Sequence, residues 1–167
     1  MPDSSSGTSG IVEQRLRDLG HELPQVPTPA GSYVPAVRSG NVVFTAGQLP
    51  LVEGTLTHTG KVGDGVSLEE AQSAAETCAL NALAAVESTG AGTLDRMRRV
   101  VKVTGFVASA PGFNGQPAVL NGASELLGEA LGESGVHARS AVGVAELPFD
   151  APVEVELIVE LADTPDG

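Results

Sequence analysis

One arginine near the end of the chain has the surroundings of a group that could hold a small acid. Arg139 lies in a run, residues 138–145, in which alternate side chains of a strand point to opposite faces. Arg139 therefore shares its face with Ala141 and Gly143, whose side chains are small. The planar guanidinium can bind a carboxylate through two parallel hydrogen bonds, and small neighbours leave room for one. The pattern predicts an anion site beside Arg139.

A strand of alternating carboxylates follows this arginine. In residues 152–161 one face is apolar, and the other carries Glu154, Glu156, Ile158 and Glu160. A carboxylate beside a bound acid could accept a hydrogen bond from a water molecule and act as a general base. Two alternatives remain open. Arg139 could form a structural ion pair with Glu154 or Glu156, or the glutamates could form a solvated sheet face.

The rest of the sequence predicts the elements that position these groups. Apolar spacing predicts a short helix over 11–19, a long helix from the capping box Ser67-Leu-Glu-Glu70 to about Ser88, and a helix over 117–131. Extended runs cover residues 33–38, 41–46, 99–108, 138–145 and 152–161, and the glycine-rich residues 51–65 are expected to form a loop. The order β-β-α-β-α-β-β predicts an α+β domain, with a mixed sheet and two helices on one face.

Two helices leave the other face of such a sheet uncovered. We expect that face to carry Arg139, Glu154 and Ile158. An uncovered sheet face with apolar content usually meets another subunit. The sequence therefore predicts a homo-oligomer.

Composition limits the classes of function. The 167 residues include 9 Lys+Arg against 21 Asp+Glu, for a net charge of −12, and only 3% are aromatic. Nucleic-acid binding requires a basic surface with stacking aromatics, and an acidic protein is repelled by anionic membranes, so neither partner is expected. The single cysteine, Cys78, falls in a helical pattern typical of core packing and cannot form an internal disulfide. We expect a cytoplasmic protein with a tail and short helix over 1–20, followed by one domain over 21–167.

The three histidines do not predict a metal site. His21, His58 and His137 are far apart, and none has ligand spacing to another His or Cys, so loop or surface positions are expected. No Gly-x-Ser-x-Gly motif is present, which argues against a serine hydrolase.

Several segments together resemble a known family. They are Gly31-Ser-Tyr33, Phe44-Thr-Ala-Gly-Gln-Leu-Pro50, Asn121, Arg139-Ser-Ala-Val-Gly-Val144 and Leu147-Pro-Phe-Asp-Ala-Pro-Val-Glu-Val-Glu156. Over about residues 30–161 the chain is similar to the Rid (YjgF/YER057c/UK114) family, also called the endoribonuclease L-PSP family. The resemblance implies a chorismate-mutase-like α+β domain of the bacillus type, assembled as a trimer with clefts between its subunits.

The resemblance also implies an activity and its residues. In the deaminase branch the arginine matching Arg139 binds the carboxylate of a 2-imino or 2-enamino acid, and the glutamate matching Glu154 positions a water. Hydrolysis yields a 2-keto acid and ammonia without metal or organic cofactor. The matching substrate-binding positions are Tyr33, Ala46, Gly47, Asn121 and Ala141.

Three positions differ from the pattern of that branch. Ala46 replaces a frequent serine, Ala141 replaces a common cysteine, and Ser124 stands where a tyrosine is frequent. These differences favour an alternative function, a non-catalytic trimer that binds or senses a small carboxylate through Arg139. A third function, ribonuclease, follows only from the family's second name, and the acidic charge argues against it.

Three of the predicted substrate-binding residues could instead have purely structural roles. Tyr33 could be an interface contact, Asn121 could bond a neighbouring backbone group, and Gly47 could shape a strand end.

Overall fold

Five strands form one mixed sheet. The structure is a computed structural model that describes residues 10–90 and 92–163. The sheet contains β1 (Ala36–Ser39), β2 (Val42–Thr45), β7 (Met97–Ala108), β8 (Ala138–Val144) and β9 (Val153–Leu161), in the spatial order β1-β2-β9-β7-β8. Neighbours are antiparallel except β7 and β8, which are parallel. The predicted α+β class and mixed sheet are confirmed.

Two long helices cover one face of this sheet. Helix α2 (Leu68–Glu87) begins at the predicted capping box, where the Glu70 amide donates to Ser67 Oγ at 3.1 Å and the Ser67 amide donates to the Glu70 carboxylate at 2.9 Å. Helix α3 (Gln116–Leu131) crosses α2 closely at Gly122, where an added Cβ would lie 2.1 Å from the carbonyl oxygen of Gln72. Glycine is therefore required at this crossing, because any side chain would push the helices apart.

The short N-terminal helix packs onto the same core. Helix α1 (Ile11–Asp18) buries Val12 and Leu16, and its first two amides donate to the Asp95 carboxylate. The carboxylate thereby satisfies two of the N–H groups that lack a partner at a helix start. Residues 1–9, most of the predicted tail, lie outside the described residues.

The segment between β2 and α2 is more ordered than predicted. Residues 51–65 were expected to be a loop, but the structure contains β3 (Leu51–Val52), β4 (Thr55–Leu56), β5 (Lys61–Val62) and β6 (Gly65–Val66). The first two pair antiparallel and the last two parallel. Strands of two residues are too short to show the alternation of apolar and polar side chains by which a strand is recognised in a sequence.

The burial of β9 defines the two faces of the sheet. Val153, Val155, Leu157 and Val159 are buried under the helices, and the residues between them are partly exposed on the opposite, open face. The open face also carries exposed apolar side chains from three other strands: Val37, Phe44 and Val142, between 45% and 54% exposed. As predicted, one face of the sheet is left without helices and has apolar content.

From the sequence we expected Arg139 on that open face, and this expectation is wrong. It pairs with buried Val103 of the parallel strand β7, and residues paired in this way point to the same face. Glu154 pairs with Phe106 and points to the open face. Arg139 and Glu154 therefore lie on opposite faces of the sheet. Strand alternation fixes relative positions within one strand only, whereas the relation between strands depends on their register.

No helix among the described residues combines the length and apolar character needed to cross a bilayer.

Candidate active site

The guanidinium of Arg139 is bound by neutral groups of α3. Its Nη1 donates to Asn121 Oδ1 at 2.9 Å and to Ser124 Oγ at 3.1 Å, and its Nη2 donates to the carbonyl of Pro117 at 3.2 Å. Asn121 and Ser124 are three residues apart and share a face of the helix. The edge strand β8 lies beside that face, and this brings Arg139 onto it.

This arrangement leaves part of the guanidinium able to bind a ligand. Arginine has five N–H donors, and the three bonds to α3 use two on Nη1 and one on Nη2. The donor on Nε and the second donor on Nη2 have no partner among the described residues. No carboxylate of the described residues pairs with Arg139, so the alternative of a structural ion pair with Glu154 or Glu156 is not observed there. Two free donors match the two oxygens of a carboxylate.

The side chain of Asn121 contacts Arg139. The alternative, in which it bonds a neighbouring backbone group, is not what the structure shows, since its side-chain oxygen accepts from Arg139.

His137 belongs to the same cluster and was missed by the sequence analysis. Its Nε2 lies 2.9 Å from Ser124 Oγ, and its Nδ1 lies 2.6 Å from the carbonyl oxygen of Gly135. Its expected loop position is confirmed, because it lies in the segment between the 3-10 turn that ends at Gly135 and β8, where it is partly exposed. The available signal was its spacing, since His137 and Arg139 are two apart in an extended segment and share a face. We call Asn121, Ser124, His137 and Arg139 the arginine cluster.

Glu154 lies against a bulge at the end of β2. Leu157 N donates to Thr45 Oγ1, and Gln48 pairs with Val155, so three steps along one strand oppose two along the other. Gly47 is in the bulge, and a Cβ built on it would lie 1.9 Å from Glu154 Oε1. The glutamate side chain thus occupies the space that glycine leaves. We call Ala46, Gly47 and Glu154 the glutamate cluster.

The surroundings of Glu154 suit a group that accepts a proton. Burial raises the pKa of its carboxyl, and the nearby charge of Glu156 raises it further. No hydrogen bond or ion pair to the carboxylate is present among the described residues. A carboxylate with a raised pKa and free lone pairs is a better base than an ordinary one.

The single cysteine is not a nucleophile in this arrangement. Cys78 is fully buried in α2, and burial raises the pKa of its thiol, with the charge of Glu154 adding to the effect.

The other predicted site residues are divided among different parts of the chain. Ala141 lies two residues beyond Arg139 and packs against the core. Gly47 lies beside Glu154, and Ala46 precedes it in the chain. Tyr33 precedes β1, is 51% exposed and accepts a hydrogen bond from the Ala30 amide. Since β1 and β8 are the two edges of the sheet, Tyr33 and Arg139 lie at opposite ends of it.

The arginine and glutamate clusters cannot meet on one small molecule within one chain. Strands β8 and β9 are not neighbours, since one strand, β7, lies between them. At about 4.8 Å per strand the backbones are roughly 10 Å apart across the sheet, and the side chains leave opposite faces. A substrate that contacts both clusters must lie between two chains.

Two surface cavities lie away from both clusters. One, of about 550 Å³, is lined by residues 26–29, 34–36, 88 and 89, and another, of about 310 Å³, lies between α2 and α3 and is rich in glutamates. Neither includes Arg139 or Glu154. Within residues 10–90 and 92–163, no three His, Cys, Asp or Glu side chains are grouped as metal ligands would be.

Comparisons with known proteins agree with the fold. The family described as endoribonuclease L-PSP matches residues 24–161. Protein TCP17 of Trypanosoma cruzi is 46% identical, over 92% of this chain and 96% of its own length. A protein of Dermatophagoides farinae named 2-iminobutanoate/2-iminopropanoate deaminase is 39% identical, over 81% of this chain and 91% of its own.

Solved structures share the architecture. The protein Atu1372 of Agrobacterium tumefaciens superposes with a TM-score of 0.85 at 50% identity, covering 90% of this chain and 92% of that one. TdcF of E. coli, solved with bound serine, superposes with a TM-score of 0.63 at 25% identity, covering 83% and 94%.

Proposed function

Since this chain belongs to the endoribonuclease L-PSP family, which includes the YjgF and RutC proteins, we propose that it is a cytoplasmic, cofactor-free deaminase. Its substrates are small 2-imino or 2-enamino acids, and its products are a 2-keto acid and ammonia. The site lies in a cleft between subunits of a homotrimer. Arg139 and Glu154 are the catalytic residues. The residues that bind the substrate or shape its cleft are Tyr33, Ala46, Gly47, Asn121 and Ala141.

One observation carries this proposal. The Arg139 guanidinium is held by three neutral acceptors of α3 and retains two donors without a partner among the described residues. Structural arginines commonly pair with a carboxylate, whereas this one is oriented by neutral groups and has no carboxylate partner within residues 10–90 and 92–163, in a protein of net charge −12. Such a group is prepared for an anionic ligand.

The proposed chemistry needs only a held acid and a placed water. The carboxylate of the imino acid binds Arg139, and a water donates a hydrogen bond to Glu154. The water oxygen adds to the imine carbon and the C=N π bond breaks, while Glu154 accepts one proton of the water and passes it to the imine nitrogen, which becomes an amine. In the resulting carbinolamine the hydroxyl proton transfers to the amine nitrogen, the C–N bond breaks, and ammonia leaves the 2-keto acid. Because the imine carbon is already electrophilic, positioning plus general-base assistance of about 10²–10⁴-fold suffices.

The position of the site residues supports the oligomer. The arginine cluster lies at the β8 edge, Tyr33 lies near the β1 edge, and Glu154 faces the open side. Contact between the β8 edge of one chain and the β1 side of the next is heterologous, and such contacts form a ring when the rotation between successive chains closes. A ring would also cover Val37, Phe44 and Val142 on the open face. We propose three copies per ring, as the family resemblance implies.

Relatives support the substrate class. Proteins of Dermatophagoides farinae and Salmonella typhimurium carry the name 2-iminobutanoate/2-iminopropanoate deaminase. TdcF was solved with serine, whose carboxylate and nitrogen have the same relation as those of a 2-imino acid. We extend both properties to this chain through Arg139.

The test measures the lifetime of an imine. An amino-acid oxidase generates a 2-imino acid in the cuvette, and its decay is timed with and without the protein. We expect faster decay with the native chain and about a hundredfold loss of that enhancement in Arg139→Ala, because a charge-assisted bidentate contact is removed. Arg139→Lys keeps the charge but not the fork, and should recover little of it. Equal enhancement by native chain and Arg139→Ala would contradict the proposal.

The second candidate is a carboxylate-binding trimer without catalysis. Ala46 and Ala141 favour it, because neither side chain can donate or accept a hydrogen bond near the substrate. A 2-keto acid would then raise the melting temperature through Arg139 while the imine lifetime stays unchanged. Ribonuclease activity remains disfavoured by the acidic charge.

A further inference from the structure

The arginine cluster contains two residues that the proposed reaction does not use. Ser124 Oγ lies between the imidazole of His137 and the guanidinium of Arg139, at 2.9 Å from Nε2 and 3.1 Å from Nη1. The other ring nitrogen lies 2.6 Å from the Gly135 carbonyl oxygen. Both Ser124 and His137 are partly buried, so these contacts are shielded from water on at least one side.

The acceptors and donors of this chain fit one proton arrangement. A carbonyl oxygen can only accept, so His137 Nδ1 must carry a hydrogen and donate to Gly135. In the neutral ring Nε2 is then an acceptor, and the Ser124 hydroxyl donates to it. The hydroxyl hydrogen is thereby turned away from Arg139, and a lone pair of Oγ faces Nη1.

We infer that Ser124 and His137 form a positioning relay, which fixes the plane of the Arg139 guanidinium so that its Nε and second Nη2 donors face the carboxylate of a 2-keto or 2-imino acid. This rests on the proposed function for the identity of the acid. Without the relay the Ser124 hydroxyl could rotate and present its hydrogen to Nη1, and Asn121 and Pro117 alone would hold the guanidinium.

Two histidine variants separate the relay from a merely structural role. His137→Gln places an amide oxygen about where Nε2 lies and can still accept from Ser124. His137→Asn reaches only about as far as Nδ1 and cannot. The probe is pyruvate, a 2-keto acid, titrated by calorimetry into the full chain, with pyruvamide as the ligand that lacks the carboxylate. Ser73→Ala, an exposed serine on α2, is the matched control for Ser124→Ala.

The relay predicts a specific order of affinities. His137→Gln should bind pyruvate within about twofold of the native chain, and His137→Asn and Ser124→Ala should each bind about tenfold more weakly, the effect of one lost bond to a charged group. Because the two residues act in series, the double variant His137→Asn/Ser124→Ala should bind pyruvate no more weakly than Ser124→Ala alone. Equal losses in Gln and Asn variants, or additive losses in the double variant, would overturn the relay.

A second readout does not depend on any ligand or on turnover. The ¹⁵N shifts of the His137 ring at mildly alkaline pH should show the tautomer protonated on Nδ1, and the Nη1 protons of Arg139 should exchange faster in Ser124→Ala. A ring protonated on Nε2 overturns the relay even if the imine assay succeeds. The expected tautomer without imine hydrolysis leaves the relay standing and rejects the deaminase.

Discussion

At the scale of single residues, the two groups that the proposed chemistry requires lie in opposite electrostatic surroundings. Arg139 is charged, oriented by neutral acceptors and free of acidic partners among the described residues. Glu154 is partly buried beside Glu156, and burial raises the pKa of its carboxyl. The first arrangement favours binding an anion, and the second favours taking a proton from water.

The raised pKa of Glu154 predicts a gain in stability when the charge is removed. The folded state binds this proton more tightly than the unfolded chain, so the free energy of unfolding falls as pH rises through the titration of Glu154. Glu154→Gln should therefore unfold at a higher temperature than the native chain at neutral pH, with the difference disappearing in acid, where the native carboxyl is protonated.

The same variant should lose imine hydrolysis, because an amide cannot accept the proton. Thermal unfolding at several pH values, with the imine assay beside it, checks both effects. A Glu154→Gln variant that is less stable than the native chain at neutral pH would show that the carboxylate has a stabilising partner.

At the scale of elements, the bulge at the end of β2 and the crossing of α2 and α3 place these residues. Residue spacing predicted the helices, the five main strands and the capping box at Ser67 because each is a local pattern. It did not predict that Arg139 lies on the helix-covered face, because that depends on the pairing of Arg139 with Val103 across a parallel ladder. Nor did it predict the contact of Ser124 with His137, which joins a helix to the segment before a strand.

The bulge gives a prediction for Gly47. Its φ is not in the left-handed region, so alanine is tolerated by the backbone there, but the new Cβ would displace the Glu154 carboxylate. Gly47→Ala should therefore reduce imine hydrolysis by about tenfold or more while changing the melting temperature little, because a flexible side chain can move aside.

The control is Gly128→Ala on α3, where no atom lies within 4 Å of the new Cβ. It should keep full activity and gain up to about 1 kcal/mol in stability from helix propensity. Unchanged hydrolysis in Gly47→Ala would mean that the observed position of Glu154 is not the active one.

At the scale of the whole molecule, one chain holds the two groups of the proposed site in separate places. The arginine cluster lies on the helix-covered side at one edge, and the glutamate cluster lies on the open side. The open face also carries exposed apolar side chains. The proposed ring of identical chains would complete the site and cover these side chains with one contact.

Complementation between inactive variants tests directly whether each active site is shared between two chains. Arg139→Ala and Glu154→Gln are mixed in equal amounts, unfolded and refolded together, and the imine assay is applied. If each site takes Arg139 from one chain and Glu154 from the next, random assembly leaves about a quarter of all sites intact, and about that share of native activity should return. The control mixture, Arg139→Ala with the Arg139→Ala/Glu154→Gln double variant, contains no intact site and should stay inactive. An inactive first mixture, with rings shown to be mixed, would contradict the account.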